Sequence, residues 1–342
     1  MKSIFFLLLF VVAGMDLTAQ KTVPTIEILT KGTKTSLRGL SVVDNNVVWV
    51  SGSGGTVGKS TDGGKTWHWN IVKGFEKTEF RDIEAFTATK AIIMAIDSPA
   101  YILKTIDGGE NWKVVYQNNT KGMFLDAMEF WNEQAGIVVG DPIGGRLFVA
   151  RTFDNGDTWQ DVPMDHRPIA DSGEAMFASS GTNVRALDKD EAVIVTGGLS
   201  SRIFIRDSKI RLPLLQGKET TGANSIAILD NNTRKGGKTM IVVGGDFMTP
   251  GSDTLNCFYS KDRGKTWKAP RVKPHGYRSC VEYITKKMII TTGINGSDYS
   301  TDGGITWKWF SKEGFNACRK AKNGTAVFFA GNGGKVGKLS PL

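Results

Sequence analysis

The chain is expected to be all-β, a closed array of about seven similar sheet units. Three observations predict this. A phrase built from an acid, a glycine and a tryptophan recurs five times, Gly-rich turns follow short apolar strands at a matching period, and no stretch sustains 3.6-residue apolar spacing. With 342 residues, 40% hydrophobic and 23% charged, the composition is that of a globular protein large enough for one large domain. The 41 Gly, 9 Trp and 18 Phe fit short strands joined by tight turns better than helices.

The five phrases read STDGGKTW from Ser60, TIDGGENW from Thr105, TFDNGDTW from Thr152, SKDRGKTW from Ser260 and STDGGITW from Ser300. Their starts lie 45, 47, 108 and 40 residues apart, so the long gap holds two units, one of which has lost the phrase. The carboxylates of Asp62, Asp107, Asp154, Asp262 and Asp302 are suited to accept backbone N–H groups one or two residues on, closing a turn. The glycine supplies a positive φ, and the Ser/Thr hydroxyls tie the two sides of the hairpin. Trp67, Trp112, Trp159, Trp267 and Trp307 then lead the next strand inward. Each ring buries on the order of 5 kcal/mol gross, at roughly 200 Å² and about 25 cal/mol per Å². Five near-identical acids make a poor active centre, because chemistry needs one asymmetric constellation; the phrase is structural.

This pattern, [S/T]-x-D-x-G-x-[T/N]-W, resembles the Asp-box or BNR repeat of sialidase-like β-propellers, where it joins the third and fourth strands of a blade. The resemblance implies a β-propeller with four-stranded antiparallel blades, and aligning the chain on its boxes counts about seven units, hence a seven-bladed ring. The units fall at residues 36–72, 79–117, 122–163, 173–216, 221–271, 276–311 and 314–340 of a single domain spanning 20–342. The last unit is the most informative. GNGGKVGKL from Gly331 copies GSGGTVGKS from Gly52, yet the chain stops where the box would begin. The otherwise unassigned VPTIEILT, residues 23–30, is expected to supply the missing outer strand and close the ring. The fourth unit has neither box nor Trp and is expected to be the most irregular. The fifth carries an insertion at Asn231–Lys238 and a long turn at Asp246–Leu255.

Residues 1–19 stand apart. Lys2 precedes an unbroken apolar run from Ile4 to Val12, and Leu17-Thr18-Ala19 offers a cleavage site, the pattern of a secretory signal peptide. The run is shorter than the roughly 20 residues of a membrane span, so an exported protein, periplasmic or extracellular, with no transmembrane segment in the mature chain is expected. Removing these residues leaves the net charge at +9. That favours acidic partners at long range, but the bases are dispersed, and no basic, aromatic-interleaved patch points to nucleic acid. Cys257, Cys280 and Cys318 allow at most one disulfide. Cys280 and Cys318 match in position on adjacent inner strands. Equivalent positions point the same way, so both are expected to be buried as small apolar residues rather than paired. No Cys/His spacing suits zinc, and no metal or cofactor is expected.

In a four-stranded blade the turns between strands two and three share a face with the connections between blades, and the boxes lie on the opposite face. A binding funnel is therefore expected at the Gly-rich turns and the starts of the inner strands. There Arg38, Arg81 and Arg278 are read as matching positions in units one, two and six, which flank one sector of the ring. Converging guanidinium groups suit a carboxylate or phosphate; the alternative is that each pairs with a neighbour such as Asp82 or Glu282. Asp97, Asp141 and Asp246, in second-to-third-strand turns, belong to the same face, with turn chemistry as their alternative role.

Two functional classes follow from resemblance. VWVSGSGGTVGKSTDGGKTW, residues 48–67, is similar to the blade signature of photosystem II stability and assembly factors, seven-bladed non-catalytic propellers that bind a partner polypeptide. This implies a monomeric exported scaffold that binds a protein or peptide, acting in the assembly or stability of an envelope complex. Sialidase-like propellers imply the alternative, a glycosidase acting on an anionic or polymeric glycan. Against it, no Arg-Ile-Pro motif is present: Arg81 precedes Asp82-Ile83 and Arg38 precedes Gly39-Leu40. Tyr277 and Glu282 share one strand rather than converging from two blades.

Overall fold

A computed structural model of the chain describes residues 23–31, 33–188, 191–206, 208–230 and 236–340. The signal-peptide segment 1–19 and most of the Asn231–Lys238 insertion lie outside the described residues. Short strands alternate with turns throughout, and the described helical segments are single 3₁₀ turns at Met164–His166 and Asn332–Gly334. No helix among the described residues is long and apolar enough to cross a membrane.

The strands form seven antiparallel blades around a central channel. Blade 1 runs from the inner strand Leu37–Val42 through Val48–Gly52 and Thr56–Ser60 to the outer strand His68–Ile71. Blades 2, 3 and 6 repeat this order, with inner strands Phe80–Ala85, Leu125–Phe130 and Cys280–Tyr283. The outermost position of blade 5 is reduced to pairing of Lys268 with Tyr259. Blade 7 consists of Ala317–Lys320, Val327–Gly331 and Lys335–Leu339, and Ile26–Lys31 pairs antiparallel with the last of these, Ile26 opposite Leu339. Thr25 and Ser340 fasten the two chain ends by backbone and hydroxyl hydrogen bonds at 2.9 and 2.7 Å. The ring closes as its sequence implies, with the N-terminal strand completing the fourth position of blade 7.

The fourth unit, residues 173–216, carries its irregularity outside its four main strands. Its four strands, Val184–Leu187, Glu191–Val195, Arg202–Ile205 and Ser208–Arg211, pair without a register shift. The irregularity lies beside them instead: Glu174–Ala175 and Gly197–Gly198 pair with each other, and Gly197 bridges to the inner strand of blade 5. Arg202, buried, holds the buried Glu174 carboxylate and ties this segment down.

Apolar side chains fill the wedges between blades. Between blades 1 and 2, for example, Trp49 and Val57 pack against Phe80, Ile83, Ile93 and Leu103. The boxes clamp the outer hairpins. In the first, Ser60 Oγ accepts the Gly64 N–H at 2.9 Å, and Asp62 accepts the Thr66 N–H at 2.9 Å and the Thr66 hydroxyl at 2.6 Å. The same bonds recur at Asp107, Asp154, Asp262 and Asp302. The acceptor reaches four residues forward, not the one or two expected, because the loop winds a full turn before the tryptophan. Gly64 sits at φ +91° and its counterparts are likewise positive, a conformation that side chains resist. These bonds hold the carboxylates of Asp62, Asp107 and Asp262 down at about 2.

Candidate functional site

Each inner strand starts at the face opposite the boxes, and in four blades it does so through a one-residue register shift. The shifts lie between Leu37 and Gly39, Phe80 and Asp82, Leu125 and Ala127, and Ala223 and Ser225. The residue that opens the inner strand, with a shift or without one, anchors to the preceding blade: Leu125, Ala223, Arg278 and Phe315 donate their N–H to Ile96, Thr196, Gly244 and Gly293. The following residue is the extra one. Arg38, Arg81, Asp126, Asn224, Ser279 and Asn316 therefore occupy one structural slot around the channel mouth.

Three of these six tie blades together. Asn224 accepts hydrogen bonds from Tyr277 and Ser179, both at 2.7 Å. Ser279 donates to the Asn316 carbonyl at 2.7 Å, and Asn316 donates to the Leu37 carbonyl at 2.8 Å. The other three, on consecutive blades, have no such task. Arg81 forms a two-nitrogen pair with Glu79 at 2.6 and 2.8 Å. Asp126 is fully buried and no side chain bonds to its carboxyl; the nearest donors are the Asp141 and Ala178 N–H groups, neither in good hydrogen-bond geometry. Burial, with Asp141 alongside, pushes its pKa well above the carboxylate range against the field of Arg81. Arg38 is half-buried and, among the described residues, has no ion-pair or hydrogen-bonding partner. Burial first, then the like charge of Arg81, lower its pKa, with Tyr277 and Glu79 opposing.

Beyond Tyr277 the mouth turns aromatic. Phe247 stands edge-on to both Tyr277 and Phe177, with centroids 6.4 and 5.6 Å apart, and the neighbouring Met248 is 69% exposed. One side of the opening is thus cationic and the other aromatic.

Arg278 is not part of this mouth. It aligns with Leu37, Leu125 and Phe315 rather than with Arg38 and Arg81, one residue out of step. A one-residue slip turns a strand side chain to the other face. Its guanidinium is wholly buried, paired with Asp298 and bonded to Asn295 and the Tyr277 carbonyl. Asp246 closes its own turn by accepting the Met248 N–H at 2.9 Å. Asp141 accepts the Met176 N–H at 2.8 Å and so steadies the segment entering the channel. Asp97 is exposed on the blade 2 turn. The structure brings together Arg38, Arg81 and the neighbourhood of Asp141, buries Arg278 against Asp298, and gives Asp246 the task of closing its own turn.

The channel is plugged below the mouth. Residues 178–182, leading into blade 4, are buried and cross it: Ser180 Oγ donates to the Ser279 carbonyl, and Thr182 Oγ1 to Ser225 Oγ. Arg319 from blade 7 holds the Ser180 and Gly181 carbonyls at 2.9 and 3.3 Å. Gly181 sits at φ +64°, and a Cβ there would stand 2.3 Å from the Asp82 carboxyl group. Asp82 itself, desolvated despite Arg319 and two amide donors, is pushed up to about 8. On the far side, a cavity of about 1060 Å³ opens on the box face. Within it, Arg185 bridges Glu129 and Glu282 at 3.5 and 3.0 Å, and Lys322 pairs with Glu84 at 2.5 Å, while Asp188, Lys286 and Lys320 also line its wall.

Tyr277 and Glu282 do not converge, since Tyr277 bonds to Asn224 at the mouth and Glu282 pairs with Arg185 in the cavity. Among the described residues, no group of three His, Cys, Asp or Glu side chains is placed to hold a metal ion. Asp126, Phe177, Phe247 and the plug were missed from sequence. Their signal was the run of small residues Ala178-Ser179-Ser180-Gly181-Thr182, which leaves space for crossing backbone.

Residues 258–269 and 298–308 match the BNR/Asp-box repeat. No curated protein sequence matches the chain. Its fold is that of several solved propellers. The structure described as YCF48 bound to D1 peptide superposes with a TM-score of 0.66 at 16% identity, covering 94% of this chain and 98% of the other. YCF48 from Cyanidioschyzon merolae gives 0.65 at 18% identity, covering 92% and 99%. The WD40 propeller domain of Doa1 gives 0.61 at 10% identity, covering 93% and 97%.

Proposed function

We propose that this Asp-box propeller is an exported, non-catalytic scaffold that binds a peptide segment of a partner protein at the Arg38–Arg81 mouth, in the assembly or stability of an envelope complex. The observation that carries the reading is Arg38. A desolvated guanidinium beside a second one, with no carboxylate of its own, is a destabilising arrangement that an incoming anion relieves. The adjoining Phe177, Phe247 and exposed Met248 offer apolar contact. A carboxylate followed by an apolar side chain on an extended peptide satisfies both halves. The likeness to a propeller solved with a D1 peptide supports peptide as the ligand class. In the box-face cavity, by contrast, the inward-facing Arg185, Glu129, Glu282, Glu84 and Lys322 already have partners.

The test is selection from a random octapeptide library on the purified protein. Enrichment of Asp or Glu beside Phe, Leu or Met, lost in an Arg38→Ala/Arg81→Ala variant, is the expected result. Equal enrichment on that variant, or turnover of sialyl or glucan substrates at enzyme-like rates, overturns the reading.

A further inference from the structure

The inner strand of blade 6 sends alternate residues to opposite neighbours. Cys280 packs towards blade 7 with Phe315, Val327 and Phe329, and Val281 packs towards blade 5 with Ile241 and Trp307. Blade 7 alternates likewise, but one residue out of step with the cysteine spacing. Ala317, opposite Ala330, is the counterpart of Cys280, opposite Thr292, and it faces blade 1. Cys318 is the counterpart of Val281 and points back at blade 6. The expectation that the two thiols point the same way therefore fails. They face each other across the blade interface with their sulfurs 3.7 Å apart, both fully buried.

We propose that Cys280 and Cys318 form an oxidisable dithiol that a hydroperoxide converts to a disulfide between blades 6 and 7. Cys280 is the nucleophile. Its sulfur accepts the Cys318 N–H at 3.3 Å and lies 3.5 Å from Arg319 Nη1 and 3.9 Å from Thr182 Oγ1. Burial opposes ionisation, but the hydrogen bonds from Cys318 and the charges of Arg319 and Arg185 prevail and hold the Cys280 thiol well below its usual range. Cys318, beside that negative charge, is held as the thiol. Arg319 lines the wall of the box-face cavity, so the pair lies one side chain behind a solvent-filled space. Burial excludes bulky disulfides and leaves a small peroxide as the oxidant.

The Cys280 thiolate attacks one peroxide oxygen, the O–O bond breaks, and the leaving oxygen takes a proton to give water or an alcohol. Cys280 is then a sulfenic acid. The Cys318 sulfur attacks Cys280 Sγ, the S–O bond breaks, and the oxygen departs as water with the Cys318 proton. In sum, two thiols and one hydroperoxide give one disulfide and, with hydrogen peroxide, two waters. The sulfurs close from 3.7 Å to about 2 Å.

The experiment treats reduced, desalted full-length mature protein with hydrogen peroxide, alkylates it under denaturing conditions and maps tryptic peptides. The expected product links peptide 279–286 to peptide 313–319, is lighter by two hydrogens, leaves Cys257 alkylated and reverts with dithiothreitol. The melting temperature rises by roughly 5 °C, as for a cross-link closing a loop of this length. Cys318→Ser retains the nucleophile and gives a dimedone-trapped sulfenic acid on Cys280, whereas Cys280→Ser gives neither product. Three free thiols after treatment, a bridge through Cys257, or oxidation of Cys318 in Cys280→Ser as fast as in wild type overturns the proposal.

Discussion

The five Asp boxes and the six inner-strand slots are both repeated features, and they behave oppositely. Every box sets its Asp to accept from the residue four positions on, Asp62 from Thr66 as Asp302 from Thr306, with Asn111 standing in for the Thr at Asp107. The slots repeat only in backbone. Asn224, Ser279 and Asn316 bind neighbouring blades, while among the described residues Arg38 has no ion-pair or hydrogen-bonding partner and the buried Asp126 carboxyl has only the Asp141 and Ala178 N–H groups beside it. Where a repeated position keeps its residue, the residue serves the fold. Where it departs at a cost in desolvation, the departure needs another explanation, and the proposed peptide would supply one.

The comparison is tested most strongly at a box tryptophan. Trp307 is 3% exposed and packs on Ile241, Val243, Cys257, Val281 and Ile289. Trp307→Ala is expected to cost about 4 kcal/mol in urea unfolding, as large-to-small core substitutions do. Peptide affinity measured by calorimetry below the transition should be unchanged. A loss of affinity in the folded variant would mean that the boxes reach the mouth, and the distinction between the two features would collapse.

Arg278→Leu comes next. It places an apolar residue where other blades carry Leu37 or Phe315, but it strands the buried Asp298 carboxylate, which otherwise accepts from Arg278 and from the His275 N–H. A loss of about 3 kcal/mol is expected, because the cost is that of an unpaired buried charge. Binding should again survive. A stable Arg278→Leu with impaired binding would return Arg278 to the mouth.

Arg38→Ala inverts the pattern. Removing a desolvated cation beside Arg81 should leave unfolding stability within about 1 kcal/mol or raise it, while peptide affinity falls tenfold or more, about 1.4 kcal/mol. Fluorescence anisotropy and thermal melts on the same preparation separate the two effects.

These contrasts also mark what could be read before any coordinates. The ring was legible because each blade restates it, and because residues 331–339 copy residues 52–60 and then stop, so that residues 26–31 had one place to go. The mouth was legible only in part. Arg38 and Arg81 precede Gly39 and Asp82 at register shifts, and nothing in the letters says that Arg278 stands one position ahead of the matching slot, which Ser279 fills. The same single-residue ambiguity hid the meeting of Cys280 and Cys318. Periodicity locates strands; the face of a given side chain depends on a bulge whose position is set by pairing with the next strand.

The smallest effects are in the pH dependence, and here the repeated and the singular carboxylates have opposite signs. Asp62, Asp107 and Asp262 sit at about 2 when folded, against an ordinary value near 4. Folding therefore favours their charged form, and their contribution is complete above about pH 4 and lost as pH falls towards 2. Asp82, desolvated against the plug and raised to about 8, works the other way. The unfolded chain releases its proton near pH 4 and the folded chain holds it until about pH 8, so stability declines as pH rises between those values and is level above them. Asp82→Asn keeps an oxygen for the Ile83 N–H, bonded at 2.9 Å in wild type, and cannot ionise. Urea midpoints measured from pH 4 to 9 should fall less steeply in that variant, and the acid limb below pH 4 should be unchanged. A variant whose upper limb is as steep as wild type would show that the plug is not packed against a protonated Asp82. The acid limb should respond instead to Asp62→Asn, and only slightly, because four other boxes still carry it.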